Sequence, residues 1–305
     1  MNSKWDRLKA SCAHIWRAFE FFNALSWFGK VSFFILLALA AMAIFAPHLT
    51  VHPHNKSSGP PLVPPGNGHF LGTDDLGVDI WSMICFGART SLTVGLATAV
   101  MAALGGSVLG IIAAQSGGWF DRLLMRAVDI MMILPDLPVL IVLAAFWGPS
   151  LRNMVIAIAL FSWSMPARLT RSQALVLRER PYVRMAASFG GRTLYLAFRH
   201  FIPELFPLIL VSMVRLSGRA IVTEASLSFI GLGDPTSRSW GLIIHHAINF
   251  RGIYFTPFWR WWLLYPSLFL TLLVTSLAFL GRDLERLTEP RIALHGTRIE
   301  RSSPS

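Results

Sequence analysis

Three sets of side chains in this sequence stand where they could do chemistry. Arg215 and Arg219 lie one helical turn apart, with Glu224 further along the same largely apolar stretch. Charges in such a setting either line a polar, water-filled path or satisfy one another in a buried network, and both readings stay open. Asp74, Asp75 and Asp79 crowd a glycine-containing run. These carboxylates could meet a protein partner, or Thr73 or Asp74 could cap a short helix. His48, His52, His54 and His69 are metal-capable, but they occupy a Pro-rich segment without thiolates or fixed helical spacing, so no metal site is expected. No Ser/His/Asp, Cys/His or paired-carboxylate constellation stands out, so an enzyme is not expected. A G-x-x-x-x-G-K-[ST] phosphate loop is absent, and no lysine follows Lys56, which excludes ATP hydrolysis by that route.

The elements that must hold these residues are set by composition. Of 305 residues 54% are hydrophobic and only 14% charged, with mean hydropathy +0.54, too little polar surface to cover a soluble globule of this size. The net charge of +11 does not mark a nucleic-acid binder, because the basic residues flank apolar runs, where a bilayer orients them. Gaps between charges predict six membrane-spanning helices near residues 31–46, within 90–120, and near 123–147, 153–166, 205–230 and 261–281. The first is short unless Trp27 and Phe28 join it, and it reads as an uncleaved anchor. In the second, Gly105, Gly106 and Gly110 suit close helix approach. Pro135 and Pro138 bend the third or delay its start. Trp261, Trp262 and Tyr265 of the sixth are placed like an interfacial aromatic belt, and the aromatic lead-in from Trp16 to Phe28 like an interfacial helix. With the N-terminus inside, 19 lysines and arginines fall on the cytoplasmic side and 6 outside, which orients both termini inward. Cys12 and Cys85 then lie on opposite sides of the membrane, so no disulfide is expected.

Two connecting segments are too long to be simple turns: an outer one from about residue 47 to 87 and an inner one from 167 to 203. The inner segment has helical periodicity, with Met185, Ala186, Phe189, Leu194, Tyr195 and Phe198 set among arginines, and reads as a docking element. Within it, Tyr182-Val183-Arg184-Met185-Ala186-Ala187-Ser188-Phe189-Gly190 is followed, after nine intervening residues, by His200-Phe201-Ile202-Pro203. This resembles the EAA-type loop of ABC-importer permeases, in which two short helices joined by a glycine turn fit a groove on the ATPase. Arg184 stands where that family usually has glutamate. Further matches run in the family's order: His69-Phe70-Leu71-Gly72-Thr73-Asp74-Asp75-Leu76-Gly77-Val78-Asp79, Arg126-Ala127-Val128-Asp129, Glu224-Ala225-Ser226-Leu227-Ser228-Phe229, Ser239-Trp240-Gly241 and Leu280-Gly281-Arg282-Asp283-Leu284. They are similar to the dipeptide, oligopeptide and nickel branch (DppC/OppC type), over roughly residues 31 to 292.

The resemblance implies an all-α, polytopic protein with six transmembrane helices and the type I ABC-importer permease fold, in the bacterial inner membrane. Its expected division is an N-terminal cytoplasmic or interfacial segment (1–30), a first transmembrane helix (31–47), a periplasmic segment (48–88), a core of five further helices (89–281) carrying the docking loop (167–204), and a cytoplasmic tail (282–305). The implied partners are a second homologous permease, two ATP-binding subunits that use ATP and Mg, and a periplasmic solute-binding protein, with membrane lipid around them. No cofactor is expected on this chain. ATPase docking is assigned to Tyr182, Arg184, Ala186, Ala187, Gly190, His200 and Pro203, the pathway to Arg215, Arg219 and Glu224, and binding-protein docking to Asp74, Asp75 and Asp79. Di- or oligopeptides are the expected cargo, with nickel or another metal chelate, or antimicrobial peptides, as alternatives. A self-sufficient secondary transporter would be expected to show repeated halves, and none is visible.

Overall fold

The structure, a computed structural model, describes residues 22–66, 68–189 and 193–300, with the backbone alone for Ala187, 193–194 and 289–300. Gly190, Cys12 and residues 16–21 of the aromatic lead-in 16–28 lie outside these residues. Every regular element described is helical: α1 (Trp27–Ile44), α2 (Ala46–Leu49), α3 (Ile80–Ser116), α4 (Gly118–Ile133), α5 (Asp136–Trp147), α6 (Leu151–Ser162), α7 (Ser164–Arg178), α8 (Pro181–Ser188), α9 (Thr193–Leu196), a π turn (Ala197–Phe201), α10 (Ile202–Phe229), α11 (Trp240–Asn249), α12 (Trp259–Trp262) and α13 (Leu264–Glu300).

Helix limits follow caps and prolines more closely than charge gaps. Trp27 and Phe28 do join α1, because Ser26 caps it by accepting the Gly29 N–H at 3.1 Å. The same Ser26 hydroxyl donates to Asp283 at 2.6 Å and so ties the start of α1 to α13. Helix α3 starts ten residues ahead of the expected 90, at the Asp79 cap, and runs for 37 residues, carrying Arg89 on an exposed face. At Leu134-Pro135 the chain turns by 92° between α4 and α5. Leu134 is extended, as a residue before proline prefers, and Pro135 has no N–H to continue α4.

Among the described residues, four helical stretches are long and apolar enough to cross a membrane: Trp27–Ile44, Ile80–Ser116, Ala197–Phe229 and Trp259–Thr288. The bent pair α4–α5 makes a fifth if counted as one. The stretch expected as a further span, 153–166, straddles α6 and the start of α7, and neither helix alone is long and apolar enough.

Helix α3 is the central post, packed by α1, α7 and α10. Its glycines set the distance to α7. A Cβ at Gly106 would lie 2.3 Å from the Trp163 carbonyl oxygen, and one at Gly110 2.2 Å from that of Ala167, whereas Gly105 faces open space. One core joins α1, the start of α3, α11 and α13 around Ile80, Ile84 and Trp240, whose indole N–H donates to the Ile84 carbonyl at 3.0 Å. Trp261 and Trp262 belong to this core, at 6% and 1% exposed, which corrects the aromatic belt expected for them. The exposed aromatic side chains in that region are Tyr254, Phe255 and Trp259. A second core gathers Ile111, Val183, Leu196 and Phe201 under the docking loop.

Candidate functional site

The segment expected to dock is an amphipathic unit with its apolar sides turned both ways. In α8, Val183 is buried and Ala186 packs beside it on the second core, three residues on and therefore on the same side. Tyr182, Met185 and Phe189, at spacings of three and four, are exposed together, and Tyr195 and Phe198 extend this apolar surface beyond the turn. His200 stands between the rings of Tyr182 and Tyr195, with centroids 6.2 and 6.0 Å away. Arg180 donates to Glu204 at 2.8 Å and closes the loop across its base. Pro203 lies in the first turn of α10 and is exposed. Arg184 pairs with Glu179, whose carboxyl the Arg184 guanidinium holds below the usual range. Ala186 thus faces inward and Tyr182 outward, while Gly190 and the Ala187 side chain lie outside what is described.

The aspartates of the outer segment mostly hold the segment itself. Asp74, buried, accepts the backbone N–H groups of Leu76 and Val78 at 2.9 and 2.7 Å. Burial pushes its carboxyl above the ordinary value, against the pull of those two hydrogen bonds. Asp79, also buried, caps α3 by accepting the Ser82 N–H at 2.8 Å and lies 2.9 Å from Nδ1 of buried His69. The expected cap at Thr73 or Asp74 is therefore at Asp79. The Thr73 hydroxyl instead donates to the Pro60 carbonyl and accepts the Val63 N–H. Of the three candidates for binding-protein contact only Asp75 is on the surface, beside exposed Leu76 and near exposed Phe70.

Arg215 and Arg219 come together on an open groove of about 930 Å³ between α10, α13 and the α4–α5 elbow. Arg219 pairs with Asp136 at the elbow, and Arg215 with Glu285 of α13. Glu224 is not on this groove. It is 1% exposed and accepts the Ser228 hydroxyl at 2.7 Å, and Ser228 lies 3.4 Å from Ser239, the cap of α11. Five positions place it about 140° around the helix from Arg219, a separation readable from spacing alone. Asp136 and Arg282, which the sequence did not mark as pathway residues, also line the groove. Asp121 and Asp129 of α4 pair with Arg171 and Arg168 of α7, so every aspartate along the elbow is bound to an arginine of a neighbouring helix. Among the described residues, no three of His, Cys, Asp and Glu gather as a metal-binding group.

Known proteins share this sequence over most of its length. A family model described as "Binding-protein-dependent transport system inner membrane component" matches residues 106–294. A Brucella abortus protein named for peptide transport is 34% identical over 272 residues, 88% of this chain and 89% of its own length. The dipeptide transport system permease protein DppC of Alkalihalophilus pseudofirmus is 34% identical over 269 residues, 86% of this chain and 85% of its own. The glutathione transport system permease protein GsiD of Pectobacterium atrosepticum is 35% identical over 229 residues, 75% and 74% of the two chains.

Proposed function

Because the chain belongs to the family of binding-protein-dependent transport system inner membrane components, we propose that it is a permease subunit of an ATP-driven importer of di- or oligopeptides. It is a multi-pass inner-membrane protein, and hydrolysis belongs to a separate ATPase subunit. The observation that carries the docking part of this reading is the outward stripe of Tyr182, Met185 and Phe189 on a helix whose other side is anchored in the core. An apolar helix face of this kind fits a hydrophobic groove on a partner.

In the full assembly, a second homologous permease completes the path, two ATP-binding subunits grip the docking loops, and a binding protein delivers solute to the outer face. Six spans, with α6 and the start of α7 as one of them, place both termini in the cytoplasm and divide the chain at about residues 30, 47, 88 and 281. ATP closes the ATPase pair, α8 moves with it, and the continuous rod from α9 through the π turn into α10 carries the motion to the groove. The groove beside Arg215 and Arg219 is this subunit's half of the path, and Asp75 with Leu76 marks its contact with the binding protein. The arginines make a bare metal cation a poorer cargo than a peptide.

Co-purification with the neighbouring permease and ATPase tests the assignment. Met185→Glu puts a charge on the outward stripe without touching the core. It is expected to abolish ATPase recovery while leaving the thermal midpoint of the chain unchanged. Undiminished recovery would remove α8 as the docking element.

A further inference from the structure

The groove's charge pattern is lopsided in a way that the ion pairs alone do not explain. Asp136 is the one carboxylate among its described lining residues, against Arg215, Arg219 and Arg282. Glu285 answers Arg215 from α13. Arg282 lies over the Phe279 ring, 5.1 Å from its centroid, and has no carboxylate partner among the described residues. Around these charges the walls are apolar, formed by residues such as Leu134, Leu137, Val222 and Leu277. A guanidinium in such surroundings needs an anion at hand, and Arg219 finds it 83 positions away, across the groove, in Asp136.

Asp136 is also the residue best placed to let go. It opens α5 immediately after the Leu134-Pro135 break, so its carboxylate rides on the elbow rather than on the wall that carries Arg219. Arg219 keeps 59% of its side chain exposed toward the groove while paired. A second carboxylate arriving in the groove could therefore take the same guanidinium.

We propose that Arg219 is the pathway's recognition point for the solute carboxylate, and that Asp136 occupies it when no solute is present. This rests on the groove being the translocation path. A peptide with a free C-terminal carboxylate replaces Asp136 on Arg219, its side chains lie against the apolar walls, and Arg282 adds a second positive charge. A solute without a carboxylate must break the Arg219–Asp136 pair and offer nothing in return. That exchange gives the permease its own selectivity beyond what the binding protein supplies.

The test uses the whole complex, with partner permease, ATPases and binding protein, in sealed vesicles loaded to drive import. Uptake of dialanine and of its C-terminal amide is measured for wild type, Arg219→Gln, Arg219→Lys and Asp136→Asn, with the binding protein held constant. Arg219→Gln is expected to lower dialanine uptake about tenfold, from the loss of a charge-assisted pair, while amide uptake holds or rises because no pair is left to break, so that the preference collapses. Arg219→Lys keeps part of it. Asp136→Asn, which removes the competing carboxylate, lowers the dialanine KM and leaves the preference over the amide unchanged, since the pair that either compound must displace is gone. Equal loss of both substrates in Arg219→Gln, or an unchanged dialanine KM in Asp136→Asn, overturns the proposal while leaving the importer intact. Should Arg219→Gln fail to assemble, Asp136→Asn decides alone. If the wild-type complex already moves neither compound, the peptide reading itself falls, and this proposal with it.

Discussion

Adjacent glycines in α3 should respond oppositely to the same substitution. At Gly106 an added Cβ would sit 2.3 Å from the Trp163 carbonyl oxygen, against 3.4 Å where ordinary contact begins, so α7 must retreat by about 1.1 Å, the difference between them. The obstructing atom is backbone, so no side chain can swing aside. Overpacking of this kind costs about 1–3 kcal/mol. Taking about 2 kcal/mol, and a fall of about 2–4 °C per kcal/mol for a domain of this size, Gly106→Ala should lower the unfolding midpoint by about 4–8 °C. Gly105 has nothing within 4 Å of its added Cβ, and replacing a mid-helix glycine relieves about 0.5–1 kcal/mol of backbone entropy. Gly105→Ala should therefore hold or raise the midpoint. The assay is thermal unfolding of the purified chain in one detergent at one scan rate, since membrane-protein unfolding is commonly irreversible. Equal shifts for the two variants, or none for Gly106→Ala, would refute the claim that α3 and α7 meet backbone to backbone.

Other expectations follow from the loops and the second core. Asp79→Ala loses the α3 cap and strands buried His69, a cost of about 2–4 kcal/mol, whereas Asp75→Ala on the surface stays within about 0.5 kcal/mol; thermal midpoints separate them. Phe201→Ala empties a fully buried site beneath the docking loop and should cost about 3–5 kcal/mol, seen as a lower midpoint. His54, stacked on Phe86 with centroids 3.7 Å apart, titrates below the ordinary 6.5 because of burial and then Arg238. The unfolded chain therefore binds the proton more readily, so the stability His54 contributes is present above pH 6.5 and lost as pH falls through that value toward its folded pKa. Midpoints measured from about pH 7.5 down to about 5.5 should fall less steeply in His54→Phe, which keeps the stacked ring and cannot ionise.

The sequence made some of this legible and hid the rest for physical reasons. The amphipathic character of α8 was readable because Met185, Ala186 and Phe189 recur at helical spacing among arginines, though spacing did not show that Ala186 turns inward and Met185 and Phe189 outward; the elbow was readable because Pro135 leaves few alternatives. The true start of α3 was not, since a charge gap marks where lipid must begin, whereas a helix may run on into water: exposed Arg89 ends the first and not the second. Trp261 and Trp262 read as belt residues because tryptophan suits both interface and core, and only the fold decides between them. Arg219 was visible as an oddity, but its partner Asp136 lies 83 positions away and local spacing could not find it.

The two short helices beyond the elbow constrain how the protein folds. At 12 residues each, α5 and α6 are about 18 Å long, against about 30 Å of hydrocarbon. Neither crosses alone: α5 follows α4 at the elbow, and α6 runs on through Trp163 into α7. They meet as a hairpin about Gly148, against α3, with Val94 of α3 packed against Met154, Val155 and Ile158 of α6. A substitution at the α3–α6 contact should therefore be read first as a failure of folding, before any loss of transport is ascribed to it.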